Sequence, residues 1–374
     1  MKIIFISYSE LSDKVYKEYF IDKFLSNDIR VKYWNISPIV RDVHIDNGAI
    51  NFPYYKLFKS FNKFKNELKK EADNETRFFT NFPLKIKYFK FYRQLKLNKC
   101  KTYQINNFAR PINIENKSFL TKVTFHLFNP NFILGIISQR IFLNFIKFFH
   151  LVNKFDKIFA AGYIESQRYD WANKTININS FDYEKSKGEY LKILNNKYCV
   201  FLDVYFPFHH DLKLNNMKTL NSKQYYNSLN TFFMKIEKKF KISVVICSHP
   251  TAFDNEKHFE GRPVYRMKTM ELTRNAEFCL SHHSTSMSYA MIFKKPIVFI
   301  YNNEMKSLYK NYYMRDLLSL SKYTSMPLIN VDSEFIDRNE LIVNDVIYEK
   351  YVHDYVAAKE SQNKDSYQII LNNL

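Results

Sequence analysis

Three short segments carry the residue types from which a site handling phosphate and protons can be built. The first reads Glu277-Phe278-Cys279-Leu280-Ser281-His282-His283-Ser284-Thr285-Ser286-Met287-Ser288. An apolar strand-like run leads directly into hydroxyl residues able to open a helix. Such residues cap the unpaired N–H groups, and the helix dipole puts partial positive charge there, so a phosphate finds donors at that point. His282 and His283 stand at the carboxyl end of the strand. An ordinary helix cap with surface histidines produces the same pattern. The second segment is Ile246-Cys247-Ser248-His249-Pro250. Pro250 fixes the turn and restricts His249 to extended backbone, which holds an imidazole in place to protonate or neutralise a leaving phosphate. In the third, Phe201-Leu202-Asp203-Val204-Tyr205-Phe206-Pro207-Phe208-His209-His210-Asp211, a carboxylate ends an apolar run and can take a proton from an acceptor hydroxyl. Asp203 suits a loop cap equally well. A metal reading of His209, His210 and Asp211 is disfavoured, because adjacent histidines point apart and no second pair has ligand spacing; no metal site is expected. Between these segments, Arg266 can neutralise a donor's acidic group and Glu271 can bind a ribose hydroxyl.

These residues need strands and helices in alternation to hold them. In the second half, Tyr198–Leu202, Ile242–Cys247, Glu277–Ser281 and Pro296–Tyr301 read as buried strands, and Ser222–Phe240, Thr269–Asn275 and Ser284–Phe293 as helices. That rhythm predicts a parallel, Rossmann-like sheet with ligands at the carboxyl ends of its strands. His249 and Ser284–Ser286 are expected at the ends of adjacent strands. In the first half, Ile3–Ile6 and Val31–Trp34 read as strands around a helix over Ser12–Leu25, and Lys157–Gly162 and Thr175–Ile178 as further strands. The Lys- and Phe-rich stretch Tyr54–Lys101 reads as a helical insertion, and the polar run Asn179–Leu191 as a linker. Two α/β domains follow, over 1–190 and 191–374, which the resemblance given below implies to be an acceptor-side domain and a nucleotide-sugar domain.

Composition narrows the classes. The chain has 374 residues, of which 46% are hydrophobic and 18% aromatic, enough for two cores. Five glycines leave no Gly-rich phosphate loop. The excess of 56 Lys+Arg over 37 Asp+Glu, net +19, favours anionic partners, although a codon bias towards Lys produces the same excess. Cys100, Cys199, Cys247 and Cys279 are scattered with no CxxC spacing, and Cys199, Cys247 and Cys279 sit in or beside apolar runs, as in a reducing cytoplasm. The uncharged stretch Val123–Gln139 falls short of a membrane span. Arg140–Lys154 reads either as a core helix or as an amphipathic helix lying on an anionic bilayer, core being favoured.

The paired motifs resemble those of bacterial sialyltransferases and relatives that transfer other nonulosonic acids or Kdo. His249-Pro250 is similar to their His-Pro motif, and Ser284-Thr285 or Thr285-Ser286 to their Ser-Ser/Thr motif. Their Asp/Glu-Asp-Gly motif is replaced here by Leu202-Asp203-Val204, and Asp182 in Ser180-Phe181-Asp182-Tyr183-Glu184 is a rival carboxylate. The resemblance covers roughly residues 155–305. It implies an α/β GT-B fold, two Rossmann-like domains with an interdomain cleft. It further implies a metal- and cofactor-independent transfer of an acidic sugar from a CMP-activated donor to a lipopolysaccharide, lipooligosaccharide or capsule acceptor. Asp203 and His249 would be catalytic, with Ser248, Pro250, His282, His283, Ser284, Thr285, Ser286, Arg266 and Glu271 around the donor. A cytoplasmic enzyme touching the anionic inner membrane fits that acceptor. UDP- or GDP-sugars are the alternative donors. A nucleic-acid-binding protein, suggested by the charge with 36 Phe and 28 Tyr, is disfavoured because the aromatics fall at core-like spacings.

Overall fold

The computed structural model describes residues 1–41, 50–107, 130–209, 212, 217–250, 252, 255–310 and 313–374. The chain forms two compact units. Among the described residues, one comprises 1–107, 130–179 and 359–374, the other those of 180–358.

The first unit is built on seven parallel strands: β1 (Lys2–Ser7), β2 (Arg30–Asn35), β3 (Tyr55–Leu57), β4 (Thr76–Thr80), β5 (Lys101–Asn106), β6 (Lys157–Ala161) and β7 (Thr175–Ile178), in the order β3-β2-β1-β4-β5-β6-β7. Side chains alternate between its faces, and both faces are buried, as a doubly covered parallel sheet requires. Ile3, Phe5, Val31, Tyr33, Phe79 and Tyr103 meet the helix Ile21–Ser26 and the C-terminal helix Ser366–Leu371 through Phe24, Tyr367 and Ile370. Ile4, Ile6, Trp34, Phe78 and Ile158 meet the helices Phe61–Glu71 and Phe89–Leu97 through Phe64, Leu68, Phe91 and Leu95. Phe5, Phe79 and Tyr103 stack across β1, β4 and β5 with centroids 5.2 and 5.3 Å apart.

Two expectations change here. Tyr54–Lys101 is no helical insertion, because it contains β3 and the central strand β4 between its two helices. The helix expected over Ser12–Leu25 is two, Asp13–Glu18 and Ile21–Ser26, broken where Phe20 takes φ 56° and turns its ring into the core.

The second unit has six parallel strands: β8 (Tyr198–Leu202), β9 (Ser243–Ser248), β10 (Val264–Arg266), β11 (Cys279–Ser281), β12 (Ile297–Tyr301) and β13 (Leu328–Asn330), in the order β10-β9-β8-β11-β12-β13. This is the doubly wound Rossmann order, with its topological switch point between β8 and β11. Helices Ser222–Phe240 and Thr269–Asn275 coincide with those expected.

The passage between units falls at Asn179/Ser180 rather than near 190. The buried Asn179 side chain donates to the carbonyls of Ser361 and Lys364, both 2.9 Å, tying residues 359–374 to the first unit. Ser180 accepts the Tyr183 N–H at 3.2 Å and caps a helix, Phe181–Ser186, inside the expected linker.

All four cysteines are buried free thiols. Burial pushes Cys100 and Cys279 up to about 12 and Cys247 up to about 11. A thiol-disulfide reagent at mildly alkaline pH should therefore label none of them until denaturant is added. Labelling of the native protein would contradict this packing.

Candidate functional site

The sequence-selected residues of the second unit gather along the carboxyl edge of its sheet. Leu202 is in register with Cys247 on one side and with Ser281 on the other, and Arg266 with Ser248. One residue further along, Arg266, Ser248, Asp203 and His282 therefore form a single row across β10, β9, β8 and β11. The Asp203 N–H donates to the Cys247 carbonyl at 3.0 Å, which extends the ladder to this row. Such an edge, at a switch point, is where α/β sheets open a crevice for ligands.

The expectation that His249 and Ser284–Ser286 end adjacent strands is corrected: β8 lies between β9 and β11. At about 4.8 Å per strand, their backbones stand roughly 10 Å apart with Asp203 between them. Asp203, on β8, therefore stands between the ends of β9 and β11.

Asp203 is buried, and its Oδ1 accepts the Tyr205 N–H at 2.9 Å. That bond holds Tyr205 at φ 53° and starts the loop, so the loop-capping role is realised. Burial and then the nearby Asp203 charge push the Tyr225 and Tyr226 hydroxyls up, so both stay protonated donors.

The two adjacent histidines separate. His282 is 1% exposed. Its Nδ1 lies 2.6 Å from the Ile300 carbonyl and its Nε2 2.8 Å from the Tyr225 hydroxyl. A carbonyl can only accept, so Nδ1 carries the proton and Nε2 accepts from Tyr225. Phe201 and Phe206 pack edge-on against the ring, and burial lowers its pKa to about 4. The donor-binding role expected of His282 is not available to a side chain so enclosed. His283, by contrast, has a buried Nε2 with no hydrogen-bond partner, and its ring lies 6.0 Å from that of Tyr313. Burial lowers its pKa against the opposing pull of Asp316.

The helix after β11 starts at Met287, three residues later than expected, and has six residues. Ser284, Thr285 and Ser286 thus occupy the turn before it. Ser284 Oγ accepts the Ser286 N–H at 3.2 Å, and Thr285 is exposed.

At the end of β9, Ser248 is buried, His249 half-buried and Pro250 exposed. The His249 ring faces that of His209 at 5.5 Å and 67°, which brings the loop after β8 over the end of β9. His209 was weighed only as a metal ligand; its neighbours His210 and Asp211 lie outside the described residues. Among the described residues no cluster of three or more His, Cys, Asp or Glu is arranged to hold a metal ion.

Beside the row, Glu271 lies on Thr269–Asn275 with Lys268 at 3.6 Å, while its Oε2 is buried without a partner. Arg266 is half-buried at the end of β10. Arg262 grips Glu237 with two bonds of 2.9 and 2.8 Å and is structural. Asp182 accepts from the Ser288 hydroxyl, joining the helices Phe181–Ser186 and Met287–Ile292. Ser288 ends the hydroxyl-rich segment singled out in the sequence, but its bond to Asp182 was not legible there, because hydroxyls within a helix carry no signal of their partner.

No family pattern and no curated protein matches this sequence. Solved structures do resemble it in fold. The S. aureus MnaA–UDP co-structure is 9% identical, with 100% of this chain and 96% of that chain covered at a TM-score of 0.51. A histidine-to-asparagine variant of the wall teichoic acid polymerase TagF, soaked with CDPG, is 12% identical over 98% of this chain and 86% of that chain, TM-score 0.51. CalG4, the calicheamicin glycosyltransferase, is 8% identical over 94% and 92%, TM-score 0.50. Together with the two parallel sheets, these likenesses establish two Rossmann-like units of the GT-B class.

Proposed function

We propose that this chain is a glycosyltransferase whose second unit binds a nucleotide-activated sugar at the carboxyl edge of β9, β8 and β11. The observation that carries this reading is the row Arg266, Ser248, Asp203 and His282 at the switch point, with His249 and Ser284–Ser286 immediately beyond it. In this reading a cation, hydroxyls and an imidazole meet the phosphate oxygens, and such groups can stabilise a departing nucleotide phosphate without a divalent ion. His249 meets that phosphate. Asp203 takes the acceptor's proton, the rival Asp182 being committed to Ser288. The buried, unpartnered Glu271 Oε2 receives a ribose hydroxyl. His283, with its unoccupied Nε2, replaces His282 on the donor side.

The donor is read as a CMP-activated acidic sugar and the acceptor as a glycan or glycolipid of the cell surface, handled from the cytoplasm. The His249-Pro250 and Ser284-Thr285 motifs support the donor assignment. A second reading, a UDP-sugar donor, is favoured by the UDP named with MnaA. Thermal-shift measurements with CMP, UDP and GDP separate them. A nucleotide at a hundred times its Kd stabilises by about 2.7 kcal/mol, roughly 5–10 °C for a unit of this size. CMP is expected to give that shift. A shift with UDP alone would move the assignment to the second reading, and no shift with any of the three would remove the transferase reading.

A further inference from the structure

The helix Pro130–Phe148 of the first unit is apolar on two sides. Phe142, Leu143 and Ile146 pack into the core, Phe142 edge-on against Phe89 at 5.3 Å. The other side faces solvent: Leu134 is 63% exposed, Ile141 64%, Phe145 51% and Phe148 77%, with Phe149 following at 56%. Positions 134, 141, 145 and 148 recur at helical spacing and form one stripe. Rings 145 and 149 are 4.6 Å apart and rings 148 and 149 are 5.1 Å apart, so the aromatic end is continuous. A contiguous exposed apolar stripe marks an interaction surface rather than scattered surface hydrophobics.

Charge indicates the occupant. Residues 130–155 contain three Lys or Arg and no Asp or Glu, and residues 84–101 contain seven and none. The two segments are joined side by side: Arg93 donates to the Leu151 carbonyl at 3.0 Å, and the Ile86 N–H donates to Gln139 Oε1 at 3.1 Å. Of these cations, Lys147 is paired with the exposed Asp170 at 2.8 Å. Lys85, Lys87, Lys90 and Lys154 are exposed on these two segments, Lys90 lying over the rings of Phe61 and Phe91 and Lys154 over that of Trp171.

We infer that this face of the first unit docks on an anionic lipid bilayer. The apolar stripe enters the boundary between headgroups and acyl chains, while the surrounding cations reach lipid phosphates. Leucine and isoleucine in the stripe favour lipid over nucleic acid, whose bases would require stacking partners. No helix among the described residues is long and apolar enough to cross a membrane, so the contact is with one surface. The inference uses no residue of the proposed transfer site, so it stands or falls separately from it.

Co-sedimentation of the full chain with vesicles tests it. Binding is expected to vesicles rich in phosphatidylglycerol, and at least tenfold more weakly to phosphatidylcholine alone. The triple variant Ile141→Ser, Phe145→Ser, Phe148→Ser should bind anionic vesicles at least tenfold more weakly with an unchanged melting temperature. Should it fail to fold, Phe148→Ser alone serves, because that side chain is the most exposed. Lys85→Glu with Lys90→Glu should lose binding most at low salt. Wild-type failure to bind, or triple-variant binding equal to wild type, would overturn the inference. So would a dimer that the triple variant dissociates without vesicle binding, or preferential binding of single-stranded RNA unaffected by the triple variant.

Discussion

His249→Ala is expected to lower the transfer rate by a factor of roughly 10² to 10⁴, the usual contribution of a positioned proton donor. The imidazole stands half-buried at the end of β9, where Pro250 restricts its backbone and where its carbonyl accepts the Ala252 N–H at 3.0 Å. Backbone contacts survive the substitution, and only the ring is lost. Stability should therefore fall by no more than about 1 kcal/mol, as for other partly exposed side chains. The checks are the rate with the nucleotide-sugar that stabilises the protein and the melting curve by circular dichroism. A variant as active as wild type would remove His249 from the chemistry. An unfolded variant would assign it to the core instead.

His282 should behave in the opposite way. His282→Ala is expected to destabilise the second unit by about 3–5 kcal/mol, since it opens a cavity beside Phe201 and Phe206. It also strands the Tyr225 hydroxyl and the Ile300 carbonyl. The same ring makes stability depend on pH. Its pKa is lowered from 6.5 to about 4 in the folded protein. As pH falls through 6.5 the unfolded chain takes up a proton that the folded chain refuses. Stability thus declines between pH 6.5 and pH 4, and the loss is complete once both states are protonated. The full effect is on the order of 3 kcal/mol. His282→Gln should flatten that part of the curve, so the stability gap between wild type and variant narrows from pH 7 to pH 4. A gap constant with pH would show that the histidine is not held neutral.

The contrast between these two histidines shows where the sequence was readable. The helix Ser222–Phe240 was legible to the residue, because its apolar positions repeat along one face and polar residues fill the rest. Strands β8 and β12 were legible as continuous apolar runs. The strand β4 was not. Thr-Arg-Phe-Phe-Thr is short, and its two phenylalanines pack on opposite faces, so it merged with the Lys- and Phe-rich helices on either side. Strand order was also hidden, since periodicity names strands without pairing them. That is why His249 and Ser284–Ser286 were expected on adjacent strands rather than on either side of Asp203. Which of His282 and His283 turns inward could not be read, because a strand buried on both faces carries no polar alternation to mark the inner side. Cys199, Cys247 and Cys279 were read correctly as small hydrophobes within or beside apolar runs, whereas the burial of Cys100, flanked by Lys99 and Lys101, carried no such signal.

The return of residues 359–374 to the first unit has a bearing on biogenesis. Phe24 is covered by Tyr367 with centroids 5.1 Å apart, and the Asn179 side chain donates to the carbonyls of Ser361 and Lys364. While a ribosome translates the intervening 180–358 segment, which takes on the order of ten to forty seconds, that flank of the seven-stranded sheet is left uncovered. The unit begun first is thus completed last. Until residues 359–374 emerge, Phe20 and Phe24 lack the Tyr367 ring that packs on them in the folded chain. Stop codons or proteolysis near the carboxyl end would damage the amino-terminal half first.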